Sequence, residues 1–280
     1  MGTPICADDT LLLSTSPFEL QGMISTCTNY SDTHYYDLHK TKSLCIPMVA
    51  NKHDKDSYFT WDLGGLPAIQ KDEFEHLGQI WKTGSTSPDI GNRISKARRM
   101  SYALIGVGVH NSNGLDPVAS LHITRTYILS RLSYGLEAAV LQTKDLDNLN
   151  KFYHTQLRVI QALPQNTSRV AVYLMLGALP FPALYDKQIL TLFGSIARLQ
   201  PTHGLHQLAC RQLLQDNRHS WFTHSKATGR KYGIDICQEI LTPRTKHQWK
   251  SLTDKTITNH FTTEMLEEAK QRATLCWIIW

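Results

Sequence analysis

Apolar positions recur at two different spacings along this chain, and the change from one to the other divides it. Near the start, Ile5-Cys6-Ala7 and Thr10-Leu11-Leu12-Leu13 flank Asp8-Asp9. Two short apolar runs about an acidic turn predict a tight β-hairpin. Ser16, Pro17 and Glu19 have the chemistry of the N-cap, first and third positions of a helix carrying a capping box. Leu20, Met23, Ile24 and Cys27 then fall at i, i+3, i+4 and i+7, which predicts an amphipathic helix. Over residues 34–81 the pattern is β-like at 43–49, 58–62 and 74–81, broken by Gly64-Gly65-Leu66-Pro67.

From Ser87 onward the period is helical. Ser87-Pro88 opens a run with Ile90, Ile94, Ala97, Leu104 and Val107, ended by Gly106, Gly108 and the turn residues 111–114. Asp116-Pro117 opens a second, carrying Val118, Leu121, Ile128, Leu129 and Leu132. Thr143 and Asp145 start a third, in which Leu146, Leu149, Tyr153, Leu157 and Ile160 keep a 3.6 period until Pro164 stops it. A fourth runs from Ser168 to Leu176 before Gly177, and a fifth follows Pro180 and Pro182 with Tyr185, Ile189, Leu192, Phe193 and Ile196 on one face. Residues 201–280 are more polar, with helical stretches near 205–214 and 263–275. The expected fold is therefore α+β in three parts: 1–84 with hairpins and a helix, 85–200 helical, and 201–280 a polar, partly helical connector. Leu146, Leu149, Leu157, Ile160, Leu192 and Phe193 are expected inside the helical part.

Composition adds a compartment and a partner. No apolar run approaches the roughly 18 residues of a membrane helix, and Asp8 and Asp9 interrupt the place where a signal peptide has its apolar core. A soluble intracellular protein with no membrane partner is expected, nucleus and cytoplasm being indistinguishable. Six scattered cysteines without a CxxC pair do not describe a disulfide scaffold, and Cys210, His219, His224 and Cys237 lack the paired spacing of a zinc module. Net charge is +5, but residues 1–92 hold 6 Lys and Arg against 12 Asp and Glu, whereas the remainder holds 23 against 12. An acidic front suits metal ions, and a basic remainder suits a polyanion such as nucleic acid.

Adjacent carboxylates on a hairpin turn raise each other's pKa unless a cation neutralises them, and Mg²⁺ favours such oxygens together with substrate phosphates. Taken alone, an Asp-Asp turn is usually structural. On the basic side, Lys151, His154 and Arg158 at i, i+3 and i+7 share a helix face opposite Leu149, Tyr153 and Ile160. Arg93, Lys96, Arg98 and Arg99 supply a second group of cations. Both groups suit sequence-independent contacts with phosphates, although a solvated helix face is the plainer alternative.

The segment Ala7-Asp8-Asp9-Thr10-Leu11-Leu12-Leu13-Ser14, followed by a helix with Leu20-Gln21, resembles the ADD-containing catalytic hairpin of non-LTR (LINE-type) retrotransposon reverse transcriptases. Leu38-His39-Lys40-Thr41-Lys42-Ser43 resembles the family's next motif, and Phe74-Glu75-His76-Leu77-Gly78 its primer-gripping hairpin. Residues 93–99, Asn113-Gly114-Leu115, 131–137, 157–164 and 174–180 are similar to its thumb. The resemblance implies a partial polymerase palm over 1–84, a helical thumb over 85–200 and a helical tail. It further implies that Asp8 and Asp9 are catalytic metal ligands for Mg²⁺ in a two-metal nucleotidyl transfer. Lys42 would then lie near the incoming triphosphate, and His76, Leu77 and Gly78 in the primer grip. RNA–DNA hybrid or duplex would be the partner, bound by Arg93, Lys96, Arg98, Arg99, Lys151, His154 and Arg158.

Cys6 departs from the aromatic residue common in that family. The family's other catalytic aspartate and its fingers precede the hairpin. The expectation is thus a fragment of an RNA-directed DNA polymerase with an incomplete site, weak or absent Mg²⁺ binding and little activity alone, its missing upstream half a possible partner. The alternatives are a non-catalytic nucleic-acid-binding protein and a non-functional retroelement remnant.

Overall fold

A computed structural model describes residues 5–6, 9–46, 59–76, 78–82, 88–110, 113–218 and 220–271. Within them the chain is α+β and mostly helical, and it forms two compact units, Met1–Thr86 and Ser87–Trp280.

The front unit is assembled from small pieces. Strands β1 (Ile5–Cys6) and β2 (Asp9–Thr10) pair antiparallel with Cys6 opposite Asp9. Helix α1 (Pro17–Thr33) follows, then β3 (Leu44–Cys45), which pairs in parallel with β4 (Ile69–Gln70). Strands β5 (Glu73–His76) and β6 (Gln79–Lys82) close a hairpin in which His76 pairs with Gln79 and Gly78 takes a positive φ of 73°. A two-residue connection needs that left-handed backbone, which glycine adopts without a Cβ clash. Ile24, Cys45, Trp61 and Leu63 form the buried centre, with Leu12, Leu20, Leu38, Phe59 and Ala68 packed on it.

Two expectations for this unit are corrected. Ser16 stands at the N-cap of α1 but makes no side-chain cap; instead the Ser14 hydroxyl donates to Glu19 Oε2 at 2.9 Å and accepts from the Ser16 N–H at 3.0 Å. Of the segment read as β-like at 58–62, the described residues form no strand, only an isolated antiparallel bridge between Asp62 and Pro67. The Gln21 amide clamps the Asp62 backbone, Nε2 donating to its carbonyl at 3.0 Å and Oε1 accepting from its N–H at 2.8 Å. A side chain from α1 thus meets the hydrogen-bond demand that a neighbouring strand would otherwise satisfy.

The second unit holds the larger core. Helix α2 spans Ile90–Ile105, and Asp89 caps it by accepting from the Asn92 N–H at 2.9 Å. Helix α3 (Pro117–Ile123), a π-helical segment (Thr124–Leu129) and α4 (Ser130–Ser133) follow without a break. After a 3-10 turn at Leu136–Ala138 come α5 (Thr143–Ile160), α6 (Arg169–Leu176) and α7 (Phe181–Ala197). In the stretch after residue 200, expected to be a polar, partly helical connector, α8 (Gly204–Gln215), α9 (Trp221–Lys231), α10 (Ile236–Leu241) and α11 (Lys246–Lys270) bury Ala209, Phe222, Ile236, Trp249, Ile257 and Ala269 in the same core as Leu149, Leu157 and Phe193. Leu146 and Leu192 pack on that core from its margin.

Helix α7 is mostly apolar and buried, with Thr191 and Ser195 exposed along one narrow edge. It packs against α5, α8, α9, α10 and α11. Its one buried acid, Asp186, accepts from the Tyr232 hydroxyl at 2.5 Å and from Lys231 Nζ at 3.0 Å, so the charge enters the interior with partners. Trp249 of α11, 2% exposed, lies over Gly194 and donates through Nε1 to the Leu190 carbonyl at 2.7 Å. A Cβ at position 194 would come within 2.2 Å of that nitrogen.

Gly194→Ala opposes two effects. Alanine gains about 1 kcal/mol of helix propensity over glycine, but forcing the indole aside costs about 1–3 kcal/mol and weakens its hydrogen bond. Urea unfolding of the full chain is expected to show net destabilisation, and a stabilised variant would contradict the close contact. Leu157→Ala, at a fully buried position, is expected to cost about 2–5 kcal/mol in the same assay.

Candidate nucleic-acid interface

Helix α5 sets the geometry of the basic face. Leu149, Phe152, Tyr153, Leu157 and Ile160 are buried. At 100° per residue, Lys151, His154 and Arg158 project from the opposite side within about 60° of one another. Lys151 is exposed, whereas His154 and Arg158 are half-buried. Arg169, the first residue of α6 and also exposed, extends the group. None of the four cations and potential cations is paired with an acid among the described residues.

Side-chain hydrogen bonds fix α6 beside α5. Asn150 Oδ1 accepts from the Tyr173 hydroxyl at 2.9 Å and from the Phe181 N–H at 3.1 Å, the latter an orphan donor at the start of α7. Gln161 Nε2 donates to Leu157 O at 2.9 Å and Val172 O at 3.0 Å. The His154 ring lies 5.8 Å from that of Tyr173, and its buried Nε2 has no hydrogen-bond partner among the described residues. Burial lowers the His154 pKa, and the nearby charges of Arg169 and Arg158 lower it further. Asp147, Asn150, Lys151, His154 and Arg169 line a pocket of about 150 Å³ between the two helices.

The second basic group divides. Arg93 is 9% exposed and turns inward, donating to the Tyr134 carbonyl near Glu137 and Asp89. Burial lowers its pKa, an effect that those neighbouring charges oppose. It belongs to the packing of the loop after α4 and not to an exposed patch, which corrects the expectation for this residue. That loop has no ladder of its own: Glu137 O accepts from Trp221 Nε1 at 2.7 Å, and Tyr185 serves Ala139 O at 2.6 Å and Leu141 N at 3.1 Å. Lys96, Arg98 and Arg99 are exposed on α2. Lys96 and Arg99 lie one turn apart on one flank, and Arg98 lies on the other.

In the front unit, Asp8 and Leu77 lie outside the described residues, as does the side chain of Asp9, whose backbone opens β2. Lys42 is exposed in the turn before β3, its N–H donating to the His39 carbonyl at 3.1 Å. His76 is half-buried at the end of β5, its ring 6.4 Å from Phe74, and Gly78 is exposed at the turn. Among the described residues no group of three His, Cys, Asp or Glu could hold a metal ion, and none of their helices is long and apolar enough to cross a membrane.

Asn150 and Arg169 escaped the reading of the sequence. Asn150 lies one turn before His154 and could have been read from that spacing, but nothing local brings Arg169 to the same place. That needs the α5–α6 connection, with Ala162 at a φ of 56° turning the chain back.

Burial also lowers the pKa of His224, partly offset by Asp186. Because His154 and His224 both titrate below the ordinary 6.5 when folded, the unfolded chain binds more protons as pH falls. Their contribution to stability is complete above the unfolded pKa and is lost on acidification. Urea midpoints should therefore be lower at pH 5.5 than at pH 7.5, and a His154→Gln/His224→Gln variant should show a shallower dependence. Arg93→Ala should cost about 1–3 kcal/mol by removing the part-buried hydrogen bond from the guanidinium to the Tyr134 carbonyl, as read from the same curves. In comparisons with known proteins, no family model, curated protein or solved structure matches this chain.

Proposed function

We propose that the chain is part of an RNA-directed DNA polymerase of the non-LTR retrotransposon kind, and that its helical unit holds a nucleic-acid duplex by the phosphate backbone. The observation that carries the binding half is the α5 face, where Lys151, His154 and Arg158 stand opposite a fully apolar buried side, joined by Arg169 from α6. Cations on a rigid helix and unpaired with described acids suit phosphates spaced along a strand, and they read no base edge. The excess of Lys and Arg beyond residue 92 agrees with that role.

The polymerase half rests on the motifs resembling the catalytic hairpin, the segment ending in Lys42-Ser43 and the primer-grip hairpin. A hairpin backbone at β1–β2 and another at β5–β6 are compatible with it. When bound by the complete polymerase, Mg²⁺ neutralises phosphate charge and aligns the attacking and leaving oxygens. Asp8 and Asp9 would be two of its ligands, and Lys42 a cation near the triphosphate. A non-catalytic binding role is favoured by the same α5 face, because that face belongs to a unit with its own large core.

Purified chain should bind an RNA–DNA hybrid with little sequence preference, and fluorescence anisotropy should show affinity falling steeply with salt. A Lys151→Ala/Arg158→Ala variant should bind more weakly, with its salt slope reduced by about one unit per lost phosphate contact. Unchanged binding by a variant with a normal melting curve would refute the α5 interface. Primer extension with Mg²⁺, abolished by Asp8→Asn/Asp9→Asn, would distinguish the polymerase from the binding-only role.

A further inference from the structure

The pocket between α5 and α6 has a composition that the helix stripe alone does not explain. Four residues that carry potential hydrogen-bond donors line it. Lys151 contributes an ammonium group and Arg169 a guanidinium fork. Asn150 is held by its Oδ1, which Tyr173 and Phe181 both occupy, so its amide nitrogen is the atom left for the pocket. His154 also lines it, and its buried Nε2, which no described group satisfies, is costly to leave without a partner. One acidic side chain, Asp147, shares the rim.

We propose that this pocket seats a single phosphate group. A liquid water takes up roughly 30 Å³, so about 150 Å³ accommodates a small tetrahedral oxyanion. Its several acceptor oxygens can meet the ammonium, the guanidinium, the amide and the imidazole together, giving short charge-assisted hydrogen bonds. Asp147 repels the incoming charge and keeps affinity for a free anion moderate. The nucleic-acid reading supplies only the source of the phosphate, a backbone diester, while the seat itself rests on the pocket. Bound there, the phosphate would fix the position of one strand along α5.

His154 reports occupancy. Its surroundings are Asp147, Asn150, Lys151 and Arg158 on its own helix and Arg169 and Tyr173 on α6. Burial first, and then the charges of Arg169 and Arg158, hold its pKa down, and a phosphate beside the ring opposes them. Binding should therefore take up protons, and affinity should rise as pH falls through the titration of His154.

The test is an NMR titration of full-length chain carrying ¹⁵N-labelled histidine, with inorganic phosphate in one arm and a short RNA–DNA hybrid in the other. Phosphate is expected to move the His154 ring signals and raise the pKa they report. Lys151→Ala and Arg169→Gln should each weaken that response on the order of tenfold, and Asp147→Asn should strengthen it. Ring signals that stay in place in the wild-type chain, or that move equally in Lys151→Ala/Arg169→Gln, would overturn the seat. If the hybrid binds with an affinity indifferent to Arg169→Gln, the seat fails as a strand contact while the α5 interface stands. If phosphate moves His154 in the expected variant order but the hybrid does not compete, the seat stands and the nucleic-acid reading fails.

Discussion

The indole of Trp249 lies over Gly194 where a side chain of any other residue would collide with it, and this contact joins α7 to α11. Most of helix α7 is shielded from solvent: Phe181, Ala183, Tyr185, Ile189, Leu190 and Phe193 are at most 1% exposed. Burying such a helix requires cover from several directions, and α11 supplies one side only because position 194 has no Cβ. The Trp249 hydrogen bond to the Leu190 carbonyl also gives the buried indole N–H its partner. Asp186 meets the same demand for polar compensation on another side of α7, through Tyr232 and Lys231.

Rigidity at the centre matters for the basic face at the edge. Lys151, His154 and Arg158 project where they do because Leu149, Tyr153 and Leu157 anchor the other side of α5. Long cationic side chains carry much rotamer entropy, so a fixed backbone limits the freedom lost when they meet phosphates. Arg93 shows the opposite use of the same chemistry, spending a guanidinium on the Tyr134 carbonyl of a loop without a ladder. Planar, multiply donating and always charged, arginine can be either kind of residue.

Periodicity therefore disclosed the helices but not every destination of their side chains. The runs opened by Asp116, Thr143 and Ser168, and the one after Pro180, became α3, α5, α6 and α7 because apolar spacing and end signals agreed. Arg93 misled because a charged residue at a core-facing position looks solvated unless its acceptor, 41 residues away, is known. The region after residue 200 read as polar because α8, α9 and α10 bury only narrow faces. Trp249, Ile257, Phe261, Met265 and Ala269 repeat along α11 at spacings of eight and four, yet the polar residues between them hide the stripe. The pocket was invisible for another reason: Asp147, Asn150, Lys151 and His154 are local, but Arg169 arrives only after the chain reverses at Ala162.

The π-helical stretch between α3 and α4 fits one more residue into its turn than an α-helix would, and the turns that follow inherit that offset. Thr124 and Ile128 within it are almost completely buried, as is Leu132 beyond it. A further residue inserted after it, with no wide turn to absorb it, would rotate the following segment by about 100°. Tyr134 would then be carried away from Arg93, and the loop supported by Trp221 and Tyr185 would shift with it. Length, and not composition alone, is thus under constraint in this segment: an exchange of exposed residues such as Arg125 or Tyr127 leaves the winding intact, whereas an added residue that no wide turn absorbs changes the phase of all that is packed after it.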